Sequence, residues 1–369
     1  MPFRLLDFAG KVKGFSSCGA AATQSFLQKP EFLIIIHRFF QEIPCPGFSS
    51  TDAQINWLRE IMFSVLLNTI LPIFSIIFVG YILRQKKVID DAFTRPANQI
   101  VFNIGIPAML LNEIAQAPFR ENFDLLTVIC SLASLGIVLL ISLVMMRMLS
   151  VRESRRGTFL QASFHGNIGY LAYAIAYYAL GEVNFARMAI LSSFIMVGQN
   201  LLAVWALTSS SEEVRANGQK WQVLKNIVQN PIIVTVAAGI VYSALGFKIP
   251  GPLKKGLDIL SGMALPTGLI LIGSSLSFGA LRSMLVEIVS IGTLKLMALP
   301  LIGYGLMVAA RVPDPLILPG VILLGSPPAT ISYVMAMEMG GDPMLAATSV
   351  SVFTLASAVS YTIILSFLA

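Results

Sequence analysis

Apolar runs long enough to cross a membrane follow one another from Ile61 to the end of the chain, and this pattern constrains the fold most strongly. A helix needs about 20 consecutive apolar residues to span the hydrocarbon of a bilayer. Only 12% of the 369 residues are charged, against roughly 25% in a soluble domain, so lipid must solvate much of the surface. We therefore predict an all-α membrane protein with ten transmembrane helices. The predicted spans cover residues 61–83, 96–115, 124–147, 158–180, 186–208, 230–247, 254–278, 284–310, 315–338 and 343–368.

Residues 1–60 do not share this pattern. Their apolar run, 32–36, ends at His37-Arg38 and is too short to span hydrocarbon. No small-residue cleavage site follows a clean apolar core, so a secretory signal is not predicted. Three interpretations stay open for this N-terminal extension: a disordered segment, an amphipathic helix on the membrane surface, and a start assigned upstream of the natural one at Met62.

The loops between the predicted spans differ in positive charge. One set carries twelve Lys and Arg residues and the other carries six. By the positive-inside rule the richer set faces the cytoplasm. Both ends of the ten-helix body then lie outside the cytoplasm, and the chain is predicted to be a multi-pass protein of the cell inner (plasma) membrane. The richer set comprises Arg84, Lys86, Lys87, Arg95, Arg147, Arg152, Arg155, Arg156, Arg215, Lys220, Lys225 and Arg282.

The chain also contains an internal repeat. An offset of 159 residues aligns prolines and glycines of the first half with those of the second, and it aligns segment 167–169 with segment 326–328. Because five spans are an odd number, the two halves have opposite orientations, which is the inverted-repeat design of many secondary transporters. We therefore predict two inverted five-helix repeats, 61–208 and 230–369, joined by a cytoplasmic linker, 209–229. The aligned pairs are Pro72 with Pro231, Gly80 with Gly239, and Pro107 with Pro266.

The fourth and ninth spans contain residues that disfavour a continuous helix. Segment 163–170 of the fourth reads SFHGNIGY, and segment 325–332 of the ninth reads GSPPATIS. Glycine costs up to about 1 kcal/mol relative to Ala inside a helix, and tandem prolines remove two backbone donors. A broken helix exposes unpaired N–H and C=O groups, and the N-terminus of a half-helix attracts anions. Corresponding interruptions in both halves point to a substrate site; the alternative is that they only ease packing.

Polar side chains within the other spans are further candidates. Lys295 lies near the middle of the eighth span, where a charge costs several kcal/mol, so we expect it to face the interior and to contact a backbone carbonyl, a polar side chain or the substrate. His165 is either a core hydrogen-bonding residue or a group that couples proton movement. Gln199 and Asn200 either link helices or line the site. The small residues around Gly273 predict close helix packing.

Other function classes lack their sequence signatures. The chain has no glycine loop ending in Gly-Lys-Ser/Thr for ATP, and no His-Glu-x-x-His or Gly-x-Ser-x-Gly motif, so neither a pump driven by ATP nor an enzyme is predicted. Its three cysteines and two histidines form no metal-binding spacing, so no cofactor or metal is predicted. The net charge of +6 comes from short clusters between apolar runs, which favours the lipid bilayer over nucleic acid as the partner.

Several segments, in their order and spacing, match one known family. They are Leu71-Pro72-Ile73-Phe74 with Gly80-Tyr81-Ile82-Leu83, Ile106-Pro107-Ala108-Met109-Leu110-Leu111, Gly166-Asn167-Ile168-Gly169-Tyr170-Leu171, Lys295-Leu296 with Pro300, Ser326-Pro327-Pro328-Ala329, and Gly340-Gly341-Asp342 with Leu345-Ala346-Ala347. Together they resemble the auxin efflux carrier family of bacterial permeases, over about residues 62–369. Family members often have a proline soon after the asparagine of the fourth span, and this chain has none there.

The resemblance implies an inverted-repeat fold of ten helices, similar to that of bile-acid sodium symporters. In such proteins spans four and nine unwind and cross at the centre, which corresponds here to residues 166–169 and 326–328. Spans 1, 2, 6 and 7 form a scaffold and often a dimer interface, so a homodimer is implied, while the other six helices carry the substrate. Bacterial relatives are assigned to small carboxylates such as malate or malonate, and plant relatives export auxin.

Together, the residues and the resemblance predict a secondary transporter that moves a small organic anion, such as a carboxylate, by alternating access. Coupling to H⁺, to Na⁺ or to neither stays open. Two alternatives are a sodium-coupled symporter of the bile-acid type, which the few acidic residues in the core disfavour, and a non-transporting membrane sensor or channel. The predicted substrate-binding residues are His165, Gly166, Asn167, Ile168, Gly169, Gln199, Asn200, Lys295, Ser326, Pro327, Pro328, Thr330 and Ser332.

Overall fold

The described part of the chain is α-helical and contains no β-strand. The computed structural model describes residues 60–115, 123–209, 229, 231–247, 249–278 and 281–368. The predicted extension and most of the predicted linker therefore lie outside the described residues. The helices are α1 Glu60–Gln85, α2 Asp91–Ile100, α3 Ile106–Ile114, α4 Leu125–Met148, α5 Glu153–Ala162, α6 Ile168–Gly181, α7 Asn184–Ser209, α8 Pro231–Ala244, α9 Gly251–Ser274, α10 Leu281–Ala309, α11 Asp314–Leu324, α12 Ser332–Glu338 and α13 Pro343–Leu368.

Six of these helices are long and apolar enough to cross a membrane, namely α1, α4, α7, α9, α10 and α13. They coincide with the first, third, fifth, seventh, eighth and tenth predicted spans, and they make the chain a multi-pass membrane protein. The other four predicted spans correspond to shorter or interrupted helices: α2 with α3, α5 with α6, α8 alone, and α11 with α12. The count of ten crossings therefore stays a prediction.

The second predicted span begins too late. It was placed at residue 96, where the apolar run starts, whereas α2 begins at Asp91. The carboxylate of Asp90 accepts a hydrogen bond of 2.9 Å from the N–H of Phe93 and so caps the helix. A capping carboxylate stabilises the first turn through its N–H groups, so the helix extends beyond its apolar part.

Three helices widen into a π-helical turn just before a proline. The proline ring clashes with the carbonyl four residues earlier, and a π turn removes that clash without ending the helix. The three carbonyls concerned, at residues 68, 103 and 296, each lie inside such a turn. The turns are Leu66–Ile70 before Pro72, Val101–Gly105 before Pro107, and Thr293–Ala298 before Pro300.

The helices α1 to α3, α8 and α9 pack together and are called here the first helix group. Within it, α1 packs along the second half of α9, while α3 packs against α8 and the first half of α9. A Cβ atom added to Gly273 would overlap the carbonyl oxygen of Ile77, and one added to Gly80 would overlap that of Ile270. The close packing predicted around Gly273 is therefore confirmed.

The remaining helices, α4 to α7 and α10 to α13, form the second helix group. Helix α4 packs against the second half of α10, α5 packs against α7 and α13, and α11 contacts α4, α7 and α10. This group buries several polar side chains, including Gln161, His165, Asn167, Gln199 and Lys295.

Candidate functional site

Two helix pairs of the second group are interrupted at the predicted segments, and the two interruptions lie against each other. The segment between α5 and α6 and the segment between α11 and α12 run antiparallel, with a β-type bridge between Gly166 and Pro328. The N–H of Asn167 donates to the carbonyl of Pro327 at 2.7 Å, and the N–H of Ala329 donates to the carbonyl of His165 at 2.9 Å. We call this contact the crossing.

Gly166 is the point of closest approach within the crossing. A Cβ atom at this position would overlap Ser326 Oγ and would lie 3.1 Å from Lys295 Nζ. The side-chain amide of Gln199 holds both backbone groups of Gly166: Oε1 accepts from the N–H at 3.0 Å, and Nε2 donates to the carbonyl at 3.2 Å. A glycine is required here because the opposing chain leaves no room for a side chain.

Lys295 places its amino group beside the crossing. Its side chain is buried, and Nζ donates a hydrogen bond of 2.8 Å to the carbonyl of Leu324, the last residue of α11. The C-terminal end of a helix carries partial negative charge, so this end stabilises the ammonium. The backbone carbonyl is one of the partners that the sequence predicts for this lysine.

Buried polar atoms of the crossing lack a partner within the described residues. Asn167 is 3% exposed, and its side-chain Nδ2 donates to no protein atom. The Oγ of Ser332 is equally buried and unpaired. The N–H groups of residues 169–171, in the first turn of α6, precede any acceptor within that helix. Unpaired buried polar groups in a native protein call for a partner such as a ligand, an ion or ordered water.

His165 and Gln161 form a polar pair just before the first interruption. Both are buried, and Gln161 Nε2 lies 3.3 Å from His165 Nδ1. The Oε1 of Gln161 has no partner within the described residues. Sequence reasoning did not select Gln161. Its position four residues before His165 could have indicated it, because residues four apart share one face of a helix.

The other predicted site residues are placed less centrally. Asn200 donates at 2.7 Å to the carbonyl of Met196 in its own helix, so its amide is not drawn into the crossing. Thr330 is half-buried at the end of the second interruption. Ile168 is buried and Gly169 half-buried at the start of α6.

A partly buried charge cluster, not predicted from the sequence, holds α5 in place. Arg155 contacts Glu287 of α10 at 2.8 Å and Asp342 beside α13 at 3.2 Å. All three side chains are less than a fifth exposed. The hydrogen bond to Glu287, the largest influence, and that to Asp342 raise the pKa of Arg155 above its ordinary value. The N–H of Asp342 also donates to Thr158 Oγ1. All three residues lie in or beside loops that are predicted to be cytoplasmic. Their shared side of the membrane is the one sequence feature that could have indicated that they lie together.

A model of the family described as "Membrane transport protein" matches residues 65–365. The chain belongs to this family, the auxin efflux carrier family. The resemblance stated above is thereby confirmed. Three relatives also match. One, from Rhizobium meliloti (strain 1021), is named "Putative malonate transporter"; it is 26% identical over 303 residues, which are 79% of this chain and 92% of the relative.

Two archaeal relatives are named as uncharacterized transporters. The protein from Methanocaldococcus jannaschii is 25% identical over 222 residues, which cover 58% of this chain and 70% of the relative. The protein from Methanothermobacter thermautotrophicus is 23% identical over 297 residues, which cover 79% of this chain and 95% of the relative. The names of the family and of these relatives indicate a membrane transporter and not an enzyme.

Proposed function

We propose that this protein is a secondary carrier that moves a small organic anion, such as a carboxylate, across the membrane by alternating access. The observation that carries the proposal is the crossing: two interrupted helices meet there, and the buried Asn167 amide donor has no partner among the described residues. The name of the Rhizobium meliloti relative supports a carboxylate as the substrate class.

The charges and dipoles around the crossing favour an anion. The first turn of α6 presents free N–H groups and partial positive charge, and the Lys295 amino group, which donates one hydrogen bond to the Leu324 carbonyl, has further N–H donors beside the crossing. A carboxylate at this place accepts hydrogen bonds from Asn167 Nδ2 and from the N–H groups of residues 169–171. Gln199, Ser326 and the two prolines hold the backbone in the open conformation that this binding requires.

The proposed fold has ten transmembrane helices in two inverted five-helix repeats, with helices four and nine broken and crossing. The packing of the first helix group supports this: α1 of the first half packs on α9 of the second, and α8 of the second half packs on α3 of the first. Such reciprocal exchange is expected when two repeats are related by a two-fold axis. In this arrangement the first group is the scaffold, and the second group carries the substrate past it.

Flux measurements test the function. The purified full-length chain would be reconstituted in liposomes, and uptake of labelled malonate, malate and indole-3-acetate would be followed. We expect saturable uptake of at least one acid, reduced by at least about tenfold in Asn167→Ala, since each 1.4 kcal/mol of lost binding is a factor of ten. Asn200→Ala is the matched control, because its amide bonds only to its own helix. Equal flux in Asn167→Ala and the wild type would exclude this site.

The same vesicles identify the coupling ion. Imposed proton and sodium gradients would be compared in the absence of any other driving force. If flux responds to a proton gradient, His165, which is buried beside the crossing, is the first residue to substitute in a test of proton coupling. A response to sodium alone would favour the bile-acid type of symporter on the same fold.

A further inference from the structure

The first turn of α6 lies against the first helix group at the point where it leaves the crossing. A Cβ atom on Gly169 would lie 3.5 Å from Ile232 Cδ1 of α8. The ring of Tyr170 packs on Gly268 of α9, where an added Cβ atom would lie 2.5 Å from Tyr170 Cδ1. This turn, which directly follows Asn167, is therefore at the boundary between the two helix groups.

Two hydrogen bonds join the helix groups across this boundary. The hydroxyl of Tyr170 donates at 2.5 Å to Oδ1 of Asn98 in α2. The N–H of Ser277, just beyond the end of α9, donates at 2.7 Å to Oγ of Ser351 in α13. Ser351 is buried, and its own hydroxyl donates to the carbonyl of Ala347 in the same helix. Each of the two bonds thus has one partner in or beside each helix group.

Both bonds lie toward the predicted cytoplasmic side. Helix α2, which carries Asn98, begins directly after the loop with Lys86 and Lys87, and this loop is predicted to be cytoplasmic. Ser277 lies between the end of α9 and Arg282, in another loop of the predicted cytoplasmic set. The two bonds therefore connect the helix groups on the side from which a solute at the crossing would reach the cytoplasm.

We infer that the bonds Tyr170–Asn98 and Ser277–Ser351 form a latch that holds the two helix groups together on the cytoplasmic side. The inference rests on the proposed function, because alternating access requires the groups to separate on this side before a solute reaches the cytoplasm. Tyr170 and Ser351 are positioning residues in this latch. Each acts on the opposite helix group and not on the solute.

The latch differs from the charge cluster around Arg155, which lies on the same predicted side. That cluster joins α5, α10 and the start of α13, all of the second helix group, so it stays intact when the two groups separate. The latch bonds cross the boundary and join neutral groups. Their loss leaves no charge without its partner, so the latch can open and close in each transport cycle.

The accessibility of a reporter cysteine at the boundary tests the latch. Gly169→Cys would be introduced into the full-length chain after Cys18, Cys45 and Cys130 are replaced by Ala. A Cβ atom at residue 169 meets Ile232 at an ordinary contact distance, so the reporter fits. A membrane-impermeant maleimide would be added to right-side-out and to inside-out vesicles. The labelling rate would be measured from each side with no substrate present.

Three variants each remove one side-chain partner of the latch: Tyr170→Phe, Asn98→Leu and Ser351→Ala. Asn98→Asp is the conservative variant, because it keeps an oxygen acceptor for Tyr170. Asn103→Leu and Ser357→Ala are the matched controls. They lie on the same predicted spans as Asn98 and Ser351, and their side chains donate to carbonyls of their own helices.

We expect each latch variant to raise the labelling rate from the cytoplasmic side about fivefold, the effect of one ordinary hydrogen bond on an equilibrium. The rate from the other side should not rise. Asn98→Asp and the two controls should change either rate by less than about twofold. Tyr170→Phe combined with Asn98→Leu should have no larger effect than one of them alone, because both remove the same bond.

An unchanged cytoplasmic labelling rate in the three latch variants would overturn the inference. Equal increases from both sides, or an increase in Asn103→Leu and Ser357→Ala as well, would show general loosening of the packing and would overturn it too. These outcomes leave the proposed function intact, because no substrate takes part in the labelling. A cytoplasmic increase in a protein that transports none of the tested acids would support the latch and contradict the proposed carrier.

Discussion

The two interruptions that meet at the crossing are built in different ways. The second contains Pro327 and Pro328, which lack N–H groups and cannot continue a helix. The first contains no proline, yet α5 ends at Ala162 and helical structure resumes only at Ile168. Local sequence imposes the second interruption, whereas Gln199 and the opposite segment hold the first one open.

This difference separates the tasks of the two segments. Prolines make the second interruption stiff and remove donors that would otherwise need partners. The first interruption keeps its N–H groups, so Asn167 and the start of α6 can offer donors to a ligand. The second interruption is thus stiff and lacks N–H donors, and it packs against the first interruption, which presents them.

The largest effect is expected where the two segments touch. Gly166→Val adds a branched side chain against Ser326 and Lys295, and forcing it into this space costs about 1–3 kcal/mol or more. We expect loss of flux by more than about tenfold together with a lower melting temperature. The control is Gly136→Val in α4, because a Cβ atom there meets nothing within 4 Å. Normal flux in Gly166→Val would mean that the two segments separate easily.

The next largest effect tests what holds each interruption open. Gln199→Leu leaves the N–H of Gly166 unpaired, at about 1–3 kcal/mol for a buried group, and removes one of the two hydrogen bonds to its carbonyl. Pro328→Ala is expected to cost less, since the neighbouring proline and the hydrogen bonds on both sides remain. The stability loss of each variant is measured as the decrease in melting temperature of the detergent-solubilised protein. Asn200→Leu is the control on the same helix as Gln199. A larger decrease in melting temperature for Pro328→Ala than for Gln199→Leu would contradict this order.

A smaller effect is expected from the charges that hold α5 before the first interruption. Arg155→Met leaves the largely buried Glu287 and Asp342 without their cation, and we expect a loss of about 1–3 kcal/mol. The exposed pair of Arg84 with Asp91 is the reference, since such pairs contribute about 0–1 kcal/mol. Melting temperatures of Arg155→Met and Arg84→Met would be compared. Equal shifts would show that the buried cluster does not stabilise α5.

The smallest effect is expected from a hydroxyl that bonds to no described residue. Ser332→Ala removes no hydrogen bond, so the free energy of unfolding should change by less than about 0.5 kcal/mol. If this hydroxyl contacts the substrate, KM should rise about fivefold, which corresponds to one ordinary hydrogen bond. Ser349→Ala is the matched control, because its buried hydroxyl is also unpaired and lies on α13. Equal KM values in both variants would remove Ser332 from the site.

Much of the site could be predicted from local sequence. Gly166, Asn167 and the two prolines were selected because glycine, asparagine and proline disfavour helix in any context. Lys295 was selected because a charge in an apolar run needs a partner. The cluster around Arg155 was missed, since it depends on groups from other helices, whereas Gln161 was missed although its spacing of four residues from His165 could have indicated it.

The sequence by itself determined that the chain enters a membrane and that the second interruption occurs at the tandem prolines, because apolar length and proline act through the nearest few residues. Glycine and asparagine marked the place of the first interruption, which tertiary contacts hold open. Only the tertiary structure decided that these breaks face each other, which carbonyl receives Lys295, and which donors stay unpaired. The crossing pairs residues about 160 positions apart, and Lys295 contacts a carbonyl of a different helix, so both pairings are set by the packing of whole helices. That packing is also what leaves Asn167 with an unused donor at the crossing.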